Sequence, residues 1–328
     1  MRKWCASDPE KLERRKIQLK KWLIGSGSMR GVAVSGVIYT LLITIAFIYM
    51  YPMLYMFSRS LMDKRDLLDA SAKWIPSQVT TQNYVSALAA LDYWNSLWKN
   101  IYLAFVPTIC QVLVCSMVGY GFARYDFPLK KLFLGILVLS FLLPSQATAM
   151  PNYLLFSRLK LSDGSIKPFV ITALLGQGFK SVLCILIFYN FHRQIPQALI
   201  EAAQIDGADH FRAYFKIAIP LSAAAIVVVT IFSIVWYWNE TYLVEVYLGY
   251  NNSRATDLTT LMKELVEFED SFEDVFDANR EGISSTNRLN DAIRMAGTML
   301  CVTPLMIFYF FLQKRFTESV DQAGITGE

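Results

Sequence analysis

Six apolar runs recur along this chain, at about 32–58, 97–122, 132–151, 169–191, 219–244 and 292–312, and polar stretches separate them. A helix needs about 20 apolar residues to cross the hydrocarbon layer of a bilayer, and each run is long enough. Within the runs the apolar residues come in blocks and lack the 3.6-residue period of a half-wetted helix. The pattern predicts an all-α, polytopic membrane protein with six transmembrane helices. It divides the chain into a basic tail (1–31), a spanning unit (32–313) with a polar outer insert (246–290), and a short end segment (314–328). Pro52 lies inside the first run. Pro144 and Pro151 lie close together in the third, where they predict a helix broken near the outer face. Broken helices at membrane depth are tolerated where they are buried or line a cavity, which makes 143–156 a candidate lining.

Composition agrees: 54% of residues are hydrophobic, 14% aromatic and 18% charged, too apolar for an ordinary soluble domain. The net charge of +4 comes mostly from the N-terminal tail, where Arg2, Lys3, Lys11, Arg14, Arg15, Lys16, Lys20, Lys21 and Arg30 precede the first run. Such a cluster could bind nucleic acid, but it more simply holds the tail in the cytoplasm. No small-x-small cleavage site follows it, so no cleaved signal is expected. With both termini inside, inner segments carry seventeen basic residues and the longer outer segments twelve. That bias supports six spans.

The five cysteines (Cys5, Cys110, Cys115, Cys184 and Cys301) include no CxxC pair, so neither a disulfide framework nor a metal site is expected. Asp270, Asp274 and Asp277 in the acidic insert lack the spacing and glycine of a calcium loop. There is no GxxxxGK[ST] phosphate loop, no Ser/His/Asp or HExxH spacing, and only His192 and His210 for imidazole chemistry. Any energy for work must come from another chain.

One charged stretch between the fourth and fifth runs stands out: Glu201-Ala202-Ala203-Gln-Ile-Asp206-Gly207-Ala208-Asp209, followed by His-Phe-Arg-Ala-Tyr-Phe-Lys-Ile217-Ala-Ile219-Pro220. Glu201 to Asp206 are good helix formers, Gly207 can take the positive φ that ends a helix, Asp209 is a ready N-cap, and Pro220 predicts a rigid stop. The expectation is two short helices joined at a glycine, a knob that a soluble partner can grip, as against a plain re-entrant connector. The spacing of Glu201-Ala202-Ala203, Gly207, Ile217, Ile219 and Pro220 resembles the EAA loop of ABC importer permeases, with Ile219 where the family usually has Leu and Ala224 where sugar permeases tend to have a second Pro. Trp74-Ile75-Pro76, Thr81-Gln-Asn-Tyr84, the Phe122-Ala-Arg124 to Phe127-Pro-Leu-Lys-Lys131 turn and the Gly324 to Gly327 ending also resemble the maltose-type carbohydrate branch. The resemblance covers nearly the whole chain.

What the resemblance implies is a permease subunit of an ATP-driven importer, in the bacterial cytoplasmic membrane with both termini cytoplasmic, moving a carbohydrate, most simply an oligosaccharide, by alternating access. The implied partners are a second permease of different sequence, two ATPase subunits that hold ATP and Mg, an extracytoplasmic solute-binding protein and membrane lipid, with no nucleic acid and no cofactor on this chain. The coupling residues would be Glu201, Ala202, Ala203, Asp206, Gly207, Ala208, Asp209, Ile217 and Pro220, with Glu201 and Asp206 meeting cations. For the substrate path the polar candidates are Gln146, Asn152, Tyr153, Gln177, Lys180, Trp236, Trp238, Asn239 and Glu240. A lysine in a span must be paired or face water: Lys180 either pairs with Glu240 or lines the cavity. Trp236 and Trp238 either stack on sugar rings or form an interfacial belt. The acidic insert either rests on the solute-binding protein or is simply solvated. Competing readings are a permease for a non-sugar solute such as polyamine or phosphate, and an ion-coupled secondary transporter, for which neither an inverted repeat nor a midplane carboxylate cluster is found.

Overall fold

Apolar helix formers written in long blocks become long helices, and helices dominate the structure. The computed structural model describes residues 22, 25–26, 29–69, 74–249, 259–277 and 289–325. Most of the basic tail, two parts of the insert (250–258 and 278–288) and residues 326–328 lie outside them. A two-residue antiparallel ladder, β1 (Gly25–Ser26) with β2 (Met29–Arg30), precedes the helices.

Three described helices are long and apolar enough to cross a bilayer: α1 (Val32–Ser60), α4 (Tyr93–Arg124) and the Asp291–Lys314 part of α15 (Asp291–Ile325). Short α2 (Lys64–Leu68) and α3 (Gln82–Ala90) lie between the first two. Two further helix pairs qualify as spans only when taken together, because each is bent. α5 (Lys130–Phe141) meets α6 (Ser145–Arg158) at 98°, and α10 (His210–Leu221) meets α11 (Ala223–Trp238) at 76°. Three spans, or five with the bent pairs, are therefore present among the described residues.

The fourth expected run is not one helix. α7 (Lys167–Leu174) and α8 (Ser181–Gln194) are separated by a turn in which Gly176 (φ 71°) and Lys180 (φ 53°) both take left-handed backbone. An α-helix cannot continue through such residues. Pro220 lies one residue before the end of α10, close to the expected stop, and the chain changes direction at Ser222. One other expectation is corrected. The fifth run is helical only to Trp238, and the helix resumes as α12 (Tyr242–Val244), which widens into a π-helical stretch over Glu245–Gly249. In the third run Pro144 makes the expected break, whereas Pro151 lies inside α6.

α4 is the central post, packed by α7, α8 and α11, while α15 bridges α11 to α1 and α3. At the α4–α8 crossing, Gly119 lets the two backbones approach: a Cβ there would lie 2.7 Å from Phe188 Cβ and 2.9 Å from the Tyr189 nitrogen. Small residues at such crossings allow the close contact that membrane helices depend on. The main core gathers Leu103, Phe156, Phe169, Tyr237, Trp238, Tyr247 and Ile293. By contrast α5 has no buried residue, and none of the apolar window of α1 is buried. The insert supplies α13 (Leu261–Val266) and α14 (Phe268–Asp277), with Phe268 and Phe272 turned into the core. Burial works against the Lys263 charge, yet Glu245, 2.8 Å away, and Glu267 hold its amine above the ordinary range.

Candidate functional site

The extended Ile195, forced by the following Pro196, ends α8 and turns the chain into α9 (Gln197–Ile205). The end of α9 is closed by Gly207 at φ 79°: its N–H reaches the Gln204 carbonyl at 3.0 Å, and the Ala208 N–H reaches Ala203 at 2.9 Å. This paired arrangement satisfies the last carbonyls of a helix, and it needs a residue tolerant of positive φ. Asp209 then caps α10, its carboxylate accepting the Arg212 N–H at 2.8 Å. Ile200, Ala213, Tyr214 and Ala218 pack the two helices onto Tyr120 of α4 and Ile195. The opposite side carries Glu201, Asp206 and Arg212 in the open, together with Leu199, Ile205, Phe211 and Phe215. Ile205 is 86% exposed and Phe211 66%. Large apolar side chains standing out among charges mark a surface shaped for contact.

Beneath this knob lies a buried polar joint. His192 on α8, fully buried, has Nδ1 3.1 Å from Ser222 Oγ and Nε2 3.5 Å from Ser116 Oγ of α4. Tyr214 Oη, in the π-helical turn Tyr214–Ala218 of α10, donates to Ser116 Oγ at 2.9 Å. Ser222 Oγ also donates to the Ala218 carbonyl at 2.7 Å. Since that uses the one hydroxyl proton of Ser222, the imidazole proton belongs on Nδ1, and Nε2 accepts from Ser116. Three helices and the 76° bend thus meet at one ring.

A second polar network holds the broken fourth run. Tyr237 Oη donates to Gln111 Oε1 at 2.7 Å and accepts the Phe179 N–H at 3.2 Å. Gln111 Nε2 returns to the Phe179 carbonyl at 3.0 Å and reaches Ser233 Oγ at 3.3 Å. Satisfied in this way, two fully buried polar side chains fix a non-helical turn inside the bundle. The turn frames a cavity of about 530 Å³ between α5, α6, α7, α8 and α12. Its walls mix rings (Phe169, Phe179, Tyr237, Tyr247), hydroxyls (Ser140, Ser145, Thr148, Thr172) and amides (Gln146, Asn152, Gln177), with Lys180 beside them. The Lys180 ammonium sits 5.0 Å from the Trp236 ring centre and 5.7 Å from that of Phe179.

Residues 111–322 match the family described as binding-protein-dependent transport system inner membrane component. The chain belongs to this family. Among its relatives, a putative ABC transporter permease of Caldicellulosiruptor is 31% identical over 192 residues, covering 58% of this chain and 67% of that protein. The trehalose transport system permease protein SugB of Mycobacterium tuberculosis is 28% identical over 279 residues, covering 84% and 92%. In fold, the chain is similar to a chain of a bacterial ABC transporter that imports the acidic polysaccharide alginate, with a TM-score of 0.68 at 19% identity, covering 89% of this chain and 99% of that one. It is thus a multi-pass membrane permease, a component of a transport system.

In this permease the cavity collects Gln146, Asn152, Gln177 and Lys180, four of the nine residues expected along a path. Trp236 lies behind Lys180, half-buried. Tyr153 and Trp238 are in the packed core instead. Asn239 donates to the Val235 carbonyl at 2.7 Å, and Glu240 accepts the Leu243 N–H at 2.8 Å, closing the end of α11 and opening α12. Among the described residues Lys180 and Glu240 make no ion pair, nor do Glu201 and Asp206; Glu201 instead accepts from the Gln197 side chain at 3.0 Å. Sequence reasoning missed Gln111, Tyr237, Tyr247 and the His192 joint. Gln111 and His192 were legible as polar residues in apolar runs, but only the fold brings Gln111 to Tyr237 across 126 positions.

Proposed function

We propose that this permease is the membrane subunit of an ATP-driven importer that passes a saccharide into the cytoplasm by alternating access. The observation that carries this reading is the α9–α10 knob, a rigid, capped pair with exposed apolar and charged side chains, joined through a buried ring to the spans that border the cavity. Closure of an ATPase dimer holding ATP and Mg would pull the knob, with Glu201–Asp209 as the grip. Motion would then pass through Ile217 and Pro220 to α11, and through His192 to α8. A second permease would cover the exposed faces of α1 and α5, and an extracytoplasmic solute-binding protein would deliver the cargo. In this arrangement the knob and both termini face the cytoplasm. Saccharide cargo is supported by the trehalose transport relative, and by cavity walls that offer amides and hydroxyls for sugar hydroxyls and rings for sugar faces.

The test is purification of the assembly with its solute-binding protein, followed by a screen of glycans for stimulation of ATP hydrolysis and uptake into proteoliposomes. Stimulation by at least one saccharide, abolished when the knob residues Ile205 and Phe211 are both changed to Asp, is the expected result. Uptake that persists with no ATPase bound, or with the doubly changed knob, would refute the coupling.

A further inference from the structure

The cavity is polar, yet its charge is one-sided. Of the residues that line it, Lys180 alone is ionised; neither Asp nor Glu is among them. Its side chain is exposed, and no carboxylate lies within ion-pair distance among the described residues. Glu240 is near enough to feel the ammonium, but its carboxylate is buried and spent on the Leu243 N–H. An ammonium within a membrane permease that has no carboxylate at ion-pair distance has to face water or a ligand. The rings of Trp236 and Phe179 lie within cation–π distance of it, and a ring face takes no more than part of an ammonium's three donors. Its backbone, at φ 53°, is in a region that side-chain-bearing residues avoid, and the Gln111–Tyr237 network locks the adjoining Phe179 from both N–H and C=O.

The helices add to this field. The first turns of both α6, at Ser145 and Gln146, and α8, at Ser181 and Val182, border the same cavity, and neither is capped by a side chain. The N-terminal end of a helix carries partial positive charge. Two such ends and one ammonium border a space of about 530 Å³ whose lining residues include no carboxylate.

We propose that Lys180 is an anion-recognition residue, and that the saccharide this permease passes carries a carboxylate or phosphate group that meets the ammonium midway. The inference rests on the saccharide-importer reading and sharpens it from sugars in general to anionic ones. Neutral parts of the cargo would lie against Tyr247, Phe169 and the amides of Asn152 and Gln177.

The test compares isosteres in the full assembly with its solute-binding protein. Uptake of digalacturonate is measured beside its dimethyl ester, glucose 6-phosphate beside glucose, and trehalose as a neutral control, for the native chain, Lys180→Met and Lys180→Arg. The readout is the acid-to-neutral uptake ratio of the native chain divided by that of the variant, so selection by the solute-binding protein cancels. We expect a quotient of about tenfold or more for Lys180→Met on one of the two anionic pairs, as for loss of a charge-assisted hydrogen bond, and a quotient near one for Lys180→Arg. The pair that responds identifies carboxylate or phosphate. Lys180→Gln carries the same reading should Lys180→Met fail to assemble. A quotient within twofold of one for the uncharged variants, acid and neutral forms falling together, would assign Lys180 to a structural role or to a carboxylate of the second permease, and would overturn the proposal. Entry of trehalose with no anionic probe overturns it while leaving the importer reading intact; entry of no saccharide at all overturns both.

Discussion

Replacing Gly178 by Ala tests the network that frames the cavity. A Cβ at this position would lie 2.4 Å from Gln111 Oε1, 2.7 Å from Tyr237 Oη and 3.1 Å from Ala173 Cα. Both polar neighbours are fully buried, at 0% and 1% exposure, so neither can swing into solvent to make room. Either the turn shifts or the Tyr237–Gln111 bond breaks. Overpacking of this kind costs about 1–3 kcal/mol, and each buried polar group left without its partner adds about 1–3 kcal/mol. With the Gln111 oxygen as the one group orphaned, since Tyr237 keeps the Phe179 N–H, the sum is about 2–6 kcal/mol, large for a single methyl group. Thermal unfolding of the detergent-solubilised assembly measures it, with Gly121→Ala as the control, since a Cβ there meets nothing within 4 Å. Adding Gln111→Ala to Gly178→Ala removes the closest clash along with the bond, so the double variant should lose less stability than the two single losses added together. A Gly178→Ala midpoint indistinguishable from that of Gly121→Ala would refute the account of the turn.

Three further outcomes follow from the geometry. Gly207→Ala should cost about 1–2 kcal/mol, all of it backbone, since φ is 79° and no atom crowds the Cβ; Gly207→Asn should recover part of this, read as hydrogen exchange of Ala208 and the last turn of α9. His192→Phe keeps the ring but removes its bonds to Ser222 and Ser116. Because Ser222 retains the Ala218 carbonyl and Ser116 retains Tyr214, the loss should fall near the low end of about 1–3 kcal/mol, measured as the unfolding midpoint. In the exposed turn before α7, hydrogen bonds from Lys167 and Ser165 hold the Asp163 carboxyl down at about 2. A depressed value means the contribution is full above the unfolded value near 4 and fades as pH falls from there through 2. For so exposed a pair it is a few tenths of a kcal/mol. A pH titration of the Asp163 carboxyl by NMR checks it, and a midpoint near 4 would refute the pairing.

The long helices and the knob were legible because their signals are local. Blocks of apolar residues announce spans, and the series Glu201 to Pro220 places helix former, glycine and cap in the order that a capped helix pair needs. The break at Pro144 was legible for the same reason, a missing N–H and a crowded preceding residue. The break at 175–180 was not, because nothing in the Gly176–Lys180 stretch forbids a helix by itself; Tyr237 and Gln111, distant in sequence, hold its peptide groups outside the helical pattern. The stop near Pro220 was legible in the same local way, since α10 ends one residue after it. The candidates around Trp236 divided, since a helix turns successive residues to different sides: Trp236 backs Lys180, Tyr237 borders the cavity and Trp238 enters the core.

The 76° elbow at Ser222 has a mechanical meaning. α11 contains 16 residues, so at 1.5 Å per residue its far end lies roughly 24 Å from the elbow. Swivelling that arm by about 10° sweeps its tip sideways by about 4 Å, roughly the breadth of a methylene chain. Under the coupling proposed above, such a crank would turn a modest tug on α10 into a stroke at the far end of α11 wide enough to open or shut a passage.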